Sequence, residues 1–261
     1  MDYRKKETTI VVSQEEIAKE IFDLRLKTPA AGYAKPGQFV GLFPPSDAHL
    51  LMRPISICES DGEKEELRMV YRIAGEGTKL ISGLKKGDCL EMLSLLGNGF
   101  PVEEAAGKKV AVMGGGIGIP PMLFTAKCLK DTGAQTEIYL GYRDKDTFLS
   151  DEFEGYGIVN RVTEDGSVGY KGNVIDAIRE RDFTPDVILA CGPMPMLRAI
   201  KNYAEEKQAT AYISLEERMA CGVGACLGCV VKTVKKDAHS HVNNTRICTE
   251  GPVFDAKEVE I

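Results

Sequence analysis

The sequence predicts a multi-domain protein of the β plus α/β class, and three regions of the 261-residue chain lead to this prediction. Residues 1–101 contain short β-branched or alternating runs separated by turn signals, which favours a small antiparallel β-barrel. Residues 102–215 alternate strand-like and helix-like runs, which indicates an open parallel sheet covered by helices. Residues 216–261 form a third, smaller segment that holds half of the eight cysteines.

The barrel strands are bounded by turn-forming pairs such as Pro36-Gly37, Asp61-Gly62 and Gly87-Asp88. One brief helix is expected at 77–84. The predicted strands are 8–12, 21–26, 38–42, 55–58 and 67–73.

In the second region, Pro121 in a first helical turn and Asn173 as an N-cap support two of the predicted helices. The predicted helices are 121–130, 173–181 and 194–206. The predicted strands are 110–113, 136–140, 187–190 and 211–214, and a short strand at 230–234 belongs to the third segment.

Composition and charge exclude several classes of protein. The formal net charge is −6, from 33 Lys and Arg against 39 Asp and Glu, which argues against a nucleic-acid binder. The start of the chain lacks the apolar stretch of a signal peptide, and prolines and glycines interrupt the uncharged run at 110–126, so no membrane span is expected. Three histidines argue against a histidine-based zinc or iron enzyme. We expect a cytoplasmic protein whose thiols are reduced or bound to metal.

The cysteines of the third segment have a specific spacing. Cys221, Cys226 and Cys229 form C-x4-C-x2-C, and Cys248 follows, which is the plant-type pattern for a 2Fe–2S cluster. Three thiolates must converge from a loop of nine residues, so the chain has to fold tightly around the cluster. Glycines would permit the positive φ angles and close approach that this requires, and their amides could point at the anionic cluster. These glycines are Gly222, Gly224 and Gly228.

A structural zinc site also uses four thiolates, but it usually combines two C-x2-C knuckles, and only one occurs here. Free buried cysteines are the other alternative, and four in one glycine-rich loop would be an unusual accident. For the isolated Cys58, Cys89 and Cys128, in contrast, small core side chains are the preferred interpretation.

Two glycine-rich turns follow predicted parallel strands. The first is Gly114-Gly115-Gly116-Ile117-Gly118, which lacks the strict G-x-G-x-x-G pattern, and the second is Cys191-Gly192-Pro193. Both would lie at the carboxyl edge where open α/β sheets bind ligands, so a dinucleotide site is favoured over a turn without a ligand. Arg143 and Asp144, one positive and one negative, both stand at the end of the second strand, so the residues do not distinguish between NAD and NADP as the bound nucleotide.

The barrel contains residues suited to a flavin nucleotide. In Arg53-Pro54-Ile55-Ser56 a guanidinium can pair with a diphosphate and a hydroxyl can bond a flavin ring. Val70-Tyr71-Arg72 and the Gly77-Thr78 turn add an aromatic side chain, a cation and a glycine turn that opens a helix. Arg-Pro alone is more simply explained by a surface arginine, so the combination carries the flavin interpretation.

These motifs occur in the order found in the ferredoxin–NADP reductase superfamily. With the cysteine motif at the C-terminal end, the whole chain resembles the electron-transfer subunits of NAD-linked, type B dihydroorotate dehydrogenases. The resemblance implies an FAD-binding barrel at 1–101, an NAD-binding α/β domain at 102–215 and a 2Fe–2S segment at 216–261. One departure is that eighteen residues separate Cys229 from Cys248, including Asp237 and His239, which makes a longer hairpin than is usual in the family.

The resemblance also implies the site residues. FAD would be held by Arg53, Pro54, Ile55, Ser56, Val70, Tyr71, Arg72, Gly77 and Thr78. NAD as co-substrate would bind at Gly114, Gly115, Gly116, Ile117, Gly118, Cys191, Gly192 and Pro193, with Cys191 near the meeting point of nicotinamide and flavin. The iron ligands would be Cys221, Cys226, Cys229 and Cys248.

The predicted function is electron transfer in pyrimidine biosynthesis. Nicotinamides move two electrons as hydride and a 2Fe–2S cluster moves one, so FAD is expected between them. The partner would be an FMN-containing dihydroorotate dehydrogenase subunit in a heterotetramer of two of each chain, and that subunit would convert dihydroorotate to orotate. No catalytic base is assigned in this chain. The alternatives are a flavin and iron–sulfur subunit of a ferredoxin–NADP oxidoreductase or sulfhydrogenase complex, and, from another class, a non-enzymatic interaction module stabilised by zinc.

Overall fold

The computed structural model describes residues 4–236 and 241–261, which form two compact units. The first unit comprises residues 4–99, 216–230 and 246–252, and the second comprises residues 100–215, 231–236, 241–245 and 253–261. The described part of the predicted segment 216–261 is therefore divided between the two units instead of forming a third. The division arises because its cysteine loop packs on barrel side chains, whereas its last strand joins the α/β sheet.

The first unit contains a closed antiparallel barrel of six strands, as the sequence predicted. The elements are β1 (Lys6–Ala18), β2 (Ile21–Lys27), β3 (Phe39–Leu42), β4 (Arg53–Asp61), β5 (Glu66–Arg72), α1 (Glu76–Ser82) and β6 (Cys89–Leu96). The strands close in the order β1-β2-β5-β4-β3-β6. Leu24, Met69 and Met92 are among the fully buried side chains that fill the barrel.

Strand β6 was not predicted, and its composition explains the omission. The run Cys-Leu-Glu-Met-Leu-Ser-Leu-Leu has no β-branched residue and consists largely of residues that favour helices. It is a strand because it pairs antiparallel with β1 on one side and β3 on the other, and so closes the barrel. Tertiary pairing therefore overrides local preference here.

Strands β4 and β5 pair along only part of their length. Their described pairs run from Asp61–Glu66 to Ile57–Met69, with a register shift between Ile57 and Glu59. Beyond that point residues 53–56 pair with β3, and residues 70–72 pair with β2. In the described pairing, segments 53–56 and 70–72 are therefore not paired with each other, and we call this gap in the pairing the barrel opening.

The second unit is an α/β sheet whose strands and helices alternate as predicted. Asn173 caps α3 through its side chain, which accepts hydrogen bonds from the amides of Ile175 and Asp176. The elements are β7 (Lys109–Gly115), α2 (Ile119–Leu129), β8 (Gln135–Tyr142), β9 (Ile158–Thr163), β10 (Tyr170–Lys171), α3 (Val174–Glu180), β11 (Val187–Cys191), α4 (Met194–Lys207) and β12 (Thr210–Ser214).

The C-terminal residues contribute three short strands. These are β13 (Val230–Lys232) and β14 (Asn244–Arg246), which form a two-stranded sheet, and β15 (Val253–Asp255). The large sheet has the order β10-β9-β8-β7-β11-β12-β15, with β15 antiparallel at the edge of an otherwise parallel sheet. Strands β9, β10, β14 and β15 were not predicted. Asp237 and His239 of the predicted long hairpin lie outside the described residues.

The strand order places a topological switch between β7 and β11. From β7 the chain proceeds to β8, β9 and β10 on one side, and then to β11 and β12 on the other. Parallel sheets bind ligands in the crevice outside the carboxyl ends of the strands at such a switch. Both glycine-rich turns noted in the sequence begin there, since Gly114 pairs with Cys191 at the ends of β7 and β11.

Candidate functional site

The four clustered cysteines lie in the first unit, where their thiols approach one another in two pairs. The thiols of Cys221 and Cys226 are in hydrogen-bond contact, and so are those of Cys229 and Cys248. Cys229 and Cys248 are only 3% and 1% exposed, whereas Cys221 is half-buried and Cys226 is exposed. The described sulfurs thus form two pairs, which suits a cluster of two irons that takes four cysteines.

Backbone amides point at the cysteine sulfurs. The amides of Val223 and Cys226 each donate to Cys221 Sγ at 3.4 Å, and the amide of Gly228 donates to Cys226 Sγ at 3.4 Å. Such donors stabilise sulfur in its negatively charged form. The residues present therefore fit an anionic iron–sulfur cluster.

Two of these thiols have shifted pKa values of opposite sign. Burial opposes ionisation of Cys221, but hydrogen bonds from the amides of Val223 and Cys226 outweigh it and lower the pKa of this thiol to about 6. Burial, and then the hydrogen bond with Cys229, raises the pKa of Cys248 to about 11. The backbone of the loop therefore stabilises a thiolate at Cys221, whereas burial disfavours a thiolate at Cys248.

The glycines of the loop match the prediction in part. Gly222 and Gly224 do adopt positive φ angles, of 69° and 80°. Gly228 does not, and Leu227 takes the left-handed conformation instead, with φ of 55°. A Cβ at Gly228 would lie 3.4 Å from Cys226 Sγ, an ordinary contact distance. The amide of Gly228 does point at that sulfur, as predicted. The prediction of a positive φ at Gly228 was wrong.

The cysteine loop packs directly on the barrel. A Cβ at Gly222 would collide with the methyl group of Met52 and lie 3.2 Å from Leu96 Cδ1. Met52 is buried and immediately precedes Arg53. The cysteine loop and the first residue of the predicted flavin motif are thus neighbours within one unit.

The predicted flavin residues line the opening between β4 and β5. Arg53, Pro54, Ile55 and Ser56 are all half-buried, without the alternation expected of a strand covered on one face. Across the opening, Val70 and Tyr71 are buried, at 3% and 2% exposure, and only Arg72 is exposed. The aromatic face expected of Tyr71 faces the core, because Phe22 stacks on this ring and its hydroxyl donates to Gln14 Oε1 at 3.0 Å.

The third predicted flavin segment meets the first. A Cβ at Gly77 would collide with the guanidinium of Arg53, so this glycine provides the space in which that side chain lies. Thr78 closes the preceding turn, since its hydroxyl donates to the Gly75 carbonyl at 2.9 Å and accepts from the Ala74 amide at 2.9 Å. The Arg53–Gly77 cradle and the opening beside it fit an extended nucleotide with a diphosphate.

The two glycine-rich turns of the second unit are in contact. A Cβ at Gly118 would lie 2.5 Å from the carbonyl carbon and oxygen of Cys191, and 2.6 Å from the Gly192 amide. Gly115 and Gly192 both face Met196 of α4, and Pro193 lies against Gly115. Gly116 has φ of 53°, with nothing within 4 Å of a Cβ, and Ile117 beside it is half-buried. The structure therefore brings all the predicted NAD-binding residues to one edge of the sheet.

The isolated cysteines do not all lie in a core. Cys58 is fully buried, as predicted, but Cys128 is half-buried and Cys89 is exposed. The core prediction was wrong for Cys89 because this residue begins strand β6, in which the next residue, Leu90, faces the interior.

Arg246 and Glu250 also belong to the cysteine site and were not identified from the sequence. Arg246 Nη1 donates to the carbonyl of Gly224 at 3.2 Å, and Arg246 Nε donates to Glu250 Oε2 at 2.9 Å. The only signal in the sequence is a charge two residues before Cys248, which is too common to be specific.

Solved structures share this architecture. The chain aligns with the structure of an NADH-dependent reduced ferredoxin-NADP oxidoreductase that bears on flavin-based electron bifurcation, with a TM-score of 0.86, 29% identity, and coverage of 97% of this chain and 89% of that one. A ferredoxin NADP+ reductase from Neisseria gonorrhoeae shares the fold at a TM-score of 0.67 and 15% identity, with coverage of 82% and 94%. The fold and the cysteine site together define an oxidoreductase of the ferredoxin reductase type that carries an iron–sulfur segment.

Sequence relatives narrow this class. Residues 216–260 match the family model described as the iron-sulfur cluster binding domain of dihydroorotate dehydrogenase B. The dihydroorotate dehydrogenase B (NAD(+)) electron transfer subunits of Bacillus cereus (strain G9842) and Bacillus anthracis (strain CDC 684 / NRRL 3495) are each 43% identical over 258 residues, covering 97% of this chain and 98% of theirs. The chain belongs to the family of dihydroorotate dehydrogenase B electron transfer subunits.

This membership confirms several predictions from the sequence. The predicted family, the fold class and the class of enzyme, an NAD-linked flavin and iron–sulfur oxidoreductase subunit, are confirmed. The predicted cofactors FAD, 2Fe–2S and NAD agree with that family. Within the part of the chain that the structure describes, none of the helices has the length and apolar character of a membrane span.

Proposed function

We propose that this chain binds FAD at the barrel opening, a 2Fe–2S cluster at its four clustered cysteines and NAD at its two glycine-rich turns. In this role it passes electrons from the FMN of a catalytic dihydroorotate dehydrogenase subunit to NAD. When bound, a flavin exchanges electron pairs with nicotinamides and single electrons with an iron–sulfur cluster, which suits FAD to a position between the two.

The contact between the cysteine loop and the flavin motif is the observation that carries this proposal. Gly222 lies against Met52, the residue before Arg53, and the Arg53 guanidinium lies over Gly77. The cysteines and the cradle for a flavin nucleotide are therefore built on one continuous stretch of barrel. A short separation between two redox groups is what electron transfer between them requires.

Each flavin-site segment has a defined task in this proposal. Arg53 pairs with the diphosphate, because a guanidinium can donate two parallel hydrogen bonds to phosphate oxygens. Ser56 bonds the flavin ring, and segment 70–72 contributes backbone groups together with the exposed Arg72, since the side chains of Val70 and Tyr71 are buried. Gly77 keeps the space over the guanidinium free.

At the α/β sheet, the chain positions the nicotinamide nucleotide. Helix α2 begins at Ile119, directly after the first glycine turn, and the positive end of its dipole favours a bound phosphate there. Pro120 and Pro121 in its first turn have no amide hydrogen, so the amide donors would come from the glycine turn itself. The close contact of Gly118 with Cys191 and Gly192 shapes the crevice between β7 and β11. NAD is favoured over NADP as the bound nucleotide because the related electron transfer subunits are named as belonging to an NAD(+)-dependent enzyme.

We further propose that the partner docks beside the cysteine loop. Val223 and Leu227 of the loop are 46% and 61% exposed, and Leu50 and Leu51, which lead into Met52, are 76% and 54% exposed. Exposed apolar side chains that form a patch with a polar rim are typical of protein interfaces. The occupant is the FMN-containing catalytic subunit, in a cytoplasmic heterotetramer of two of each chain, with proton removal from dihydroorotate on that subunit.

Flavin content tests the barrel assignment. In Arg53→Ala the diphosphate loses its cation, so we expect FAD to be lost during gel filtration, with absorbance at the flavin band as the measurement. Arg25→Ala, on strand β2, which β5 separates from β4, is the matched control and should keep its FAD. Unchanged flavin in Arg53→Ala would contradict the assignment.

Reconstitution tests the function as a whole. Dihydroorotate-dependent formation of NADH should be absent with this chain alone and should appear when the co-purified partner is added. A second candidate, a subunit of a ferredoxin–NADP oxidoreductase, is favoured by the 29% identity to such an enzyme. A partner that supports reduction of ferredoxin but not oxidation of dihydroorotate would favour that candidate.

A further inference from the structure

A charged pair lies beside the buried half of the cysteine site. Arg246 and Glu250 form a two-pronged ion pair, with Arg246 Nε 2.9 Å and Nη2 2.5 Å from the two carboxylate oxygens. The backbone amide of Arg246 also donates to Glu250 Oε2 at 2.9 Å. The two residues therefore close the turn that contains Cys248.

The same guanidinium reaches into the cysteine loop. Arg246 Nη1 donates to the carbonyl of Gly224 at 3.2 Å, and the amide of Gly224 in turn faces the sulfur of Cys248. Beside this link, the amide of Ile247 donates to the carbonyl of Cys229 at 2.9 Å. Arg246 is thus the side chain that ties the segment carrying the fourth cysteine to the loop carrying the other three.

We propose, on the basis of the function proposed above, that Arg246 is a positioning residue of the iron–sulfur site, which holds Cys248 in place through Gly224 and Glu250 and adjusts the charge beside the Cys229–Cys248 pair. Arginine suits this role because its planar fork bonds several acceptors in fixed directions, which a lysine ammonium does not. Partners behind metal ligands commonly fix ligand orientation in this way.

The pair also makes a prediction about charge. Reduction of an iron–sulfur cluster adds one negative charge, so a nearby cation favours the reduced form and a nearby anion opposes it. Arg246 interacts electrostatically with both Cys229 and Cys248, while Glu250 neutralises it in part. Removal of the cation should lower the reduction potential of the cluster, and removal of the anion should raise it.

The test uses the full-length chain isolated with its cluster. Iron and acid-labile sulfide per chain, the rate of cluster loss to EDTA, and the reduction potential from a titration followed by electron paramagnetic resonance are measured in four variants. Three of them are Arg246→Gln, Arg246→Lys and Glu250→Gln. The fourth, Arg179→Gln, is a matched control, because Arg179 forms a similarly exposed two-pronged pair with Glu206 on α3 and α4 of the other unit.

In Arg246→Gln we expect a lower potential and cluster loss about tenfold faster, because removal of a partner behind a metal ligand typically weakens metal binding by about 10- to 100-fold. Arg246→Lys should have a reduction potential near that of the protein without substitutions, but should still lose its cluster faster than that protein does. Glu250→Gln should raise the potential, and Arg179→Gln should change neither quantity.

The proposal is overturned if Arg246→Gln keeps the original rate of loss and potential, or if Arg246→Gln and Glu250→Gln shift the potential in the same direction. Should Arg246→Gln retain no cluster, the potentials of Arg246→Lys and Glu250→Gln decide. An unchanged chain isolated without iron and sulfide would instead contradict the proposed function, so the two failures are distinguishable.

Discussion

The cysteine loop and the proposed flavin opening lie side by side in the same unit, yet they are built in different ways. Three of the four cysteines fall within nine consecutive residues, and amides of that same loop point at their sulfurs. The proposed flavin opening is formed by segments 53–56, 70–72 and 77–78, because β4 and β5 stop pairing at Ile57–Met69 and Gly77 lies against the Arg53 guanidinium. The first site is encoded by local spacing, and the second by strand topology.

This difference predicts how each site responds to substitution. A cluster needs all its ligands at once, so loss of one thiol should abolish binding. A nucleotide bound along several separate segments loses one group of contacts at a time, so the response of the opening should be graded. The nicotinamide turns, where backbone lies against backbone, provide a third case for comparison.

The largest expected effect is on the cysteine loop. Cys226→Ser replaces an exposed thiol whose sulfur accepts from the Gly228 amide, and we expect almost complete loss of iron and acid-labile sulfide, because an oxygen does not replace a soft thiolate ligand. FAD content should remain, since the barrel opening is unchanged. Cys89→Ser, an exposed thiol on β6, is the matched control. Iron and sulfide at the level of the control would exclude Cys226 as a ligand.

The same contrast explains how much of the molecule was predictable from sequence. The C-x4-C-x2-C spacing singled out three of the clustered cysteines, and the glycine turns marked the edge of the sheet, because both patterns are continuous in sequence. Strand β6 was missed because Leu, Met and Glu favour helices and only its pairing with β1 and β3 makes it a strand. The burial of Tyr71 and the position of Arg246 over Gly224 depend on contacts between distant residues, which no local pattern contains.

The second expected effect tests the contact between the nicotinamide turns. In Gly118→Ala the new Cβ would lie 2.5 Å from the carbonyl of Cys191, and this backbone cannot turn aside as a side chain can. Overpacking of this kind costs about 1–3 kcal/mol, so we expect a KM for NADH about tenfold higher in an assay with an artificial electron acceptor, with a lower unfolding temperature.

Gly32→Ala serves as the control for that change, because nothing lies within 4 Å of a Cβ there and its φ lies outside the left-handed region. It should leave the KM for NADH unchanged. If Gly118→Ala also behaved like the control, the contact of the two turns would have no part in nucleotide binding.

A smaller effect is expected at the flavin opening, where the neighbour is a flexible side chain. In Gly77→Ala the new methyl group would displace the Arg53 guanidinium without moving backbone, so FAD should bind only a few-fold more weakly, as measured by fluorescence on dilution. Gly75→Ala is a close control two residues away, with nothing within 4 Å of its Cβ. Equal flavin affinity in the two variants would show that the Arg53–Gly77 cradle is not used.

The smallest effect concerns the ionisation of cysteine thiols in the chain from which the cluster has been removed. It tests whether the cysteine loop has its final geometry before metal binds. The pKa of Cys221 is lowered to about 6 from an ordinary 9.0, since amide hydrogen bonds outweigh burial, so its thiolate stabilises the fold above pH 9 and this contribution is lost as the pH falls toward 6. The pKa of Cys248 is raised to about 11, so its contribution is present below pH 9 and is lost as the pH rises toward 11.

Alkylation of Cys221, followed by mass spectrometry across this range, should reach half its maximal rate near pH 6. The same chain unfolded in urea is the control and should show the ordinary value. Half-maximal alkylation near pH 9 in the folded chain as well would mean that the amides of the loop point at the sulfurs only once the cluster is bound. The cysteine loop, like the proposed flavin opening, would then reach its final geometry only with its ligand.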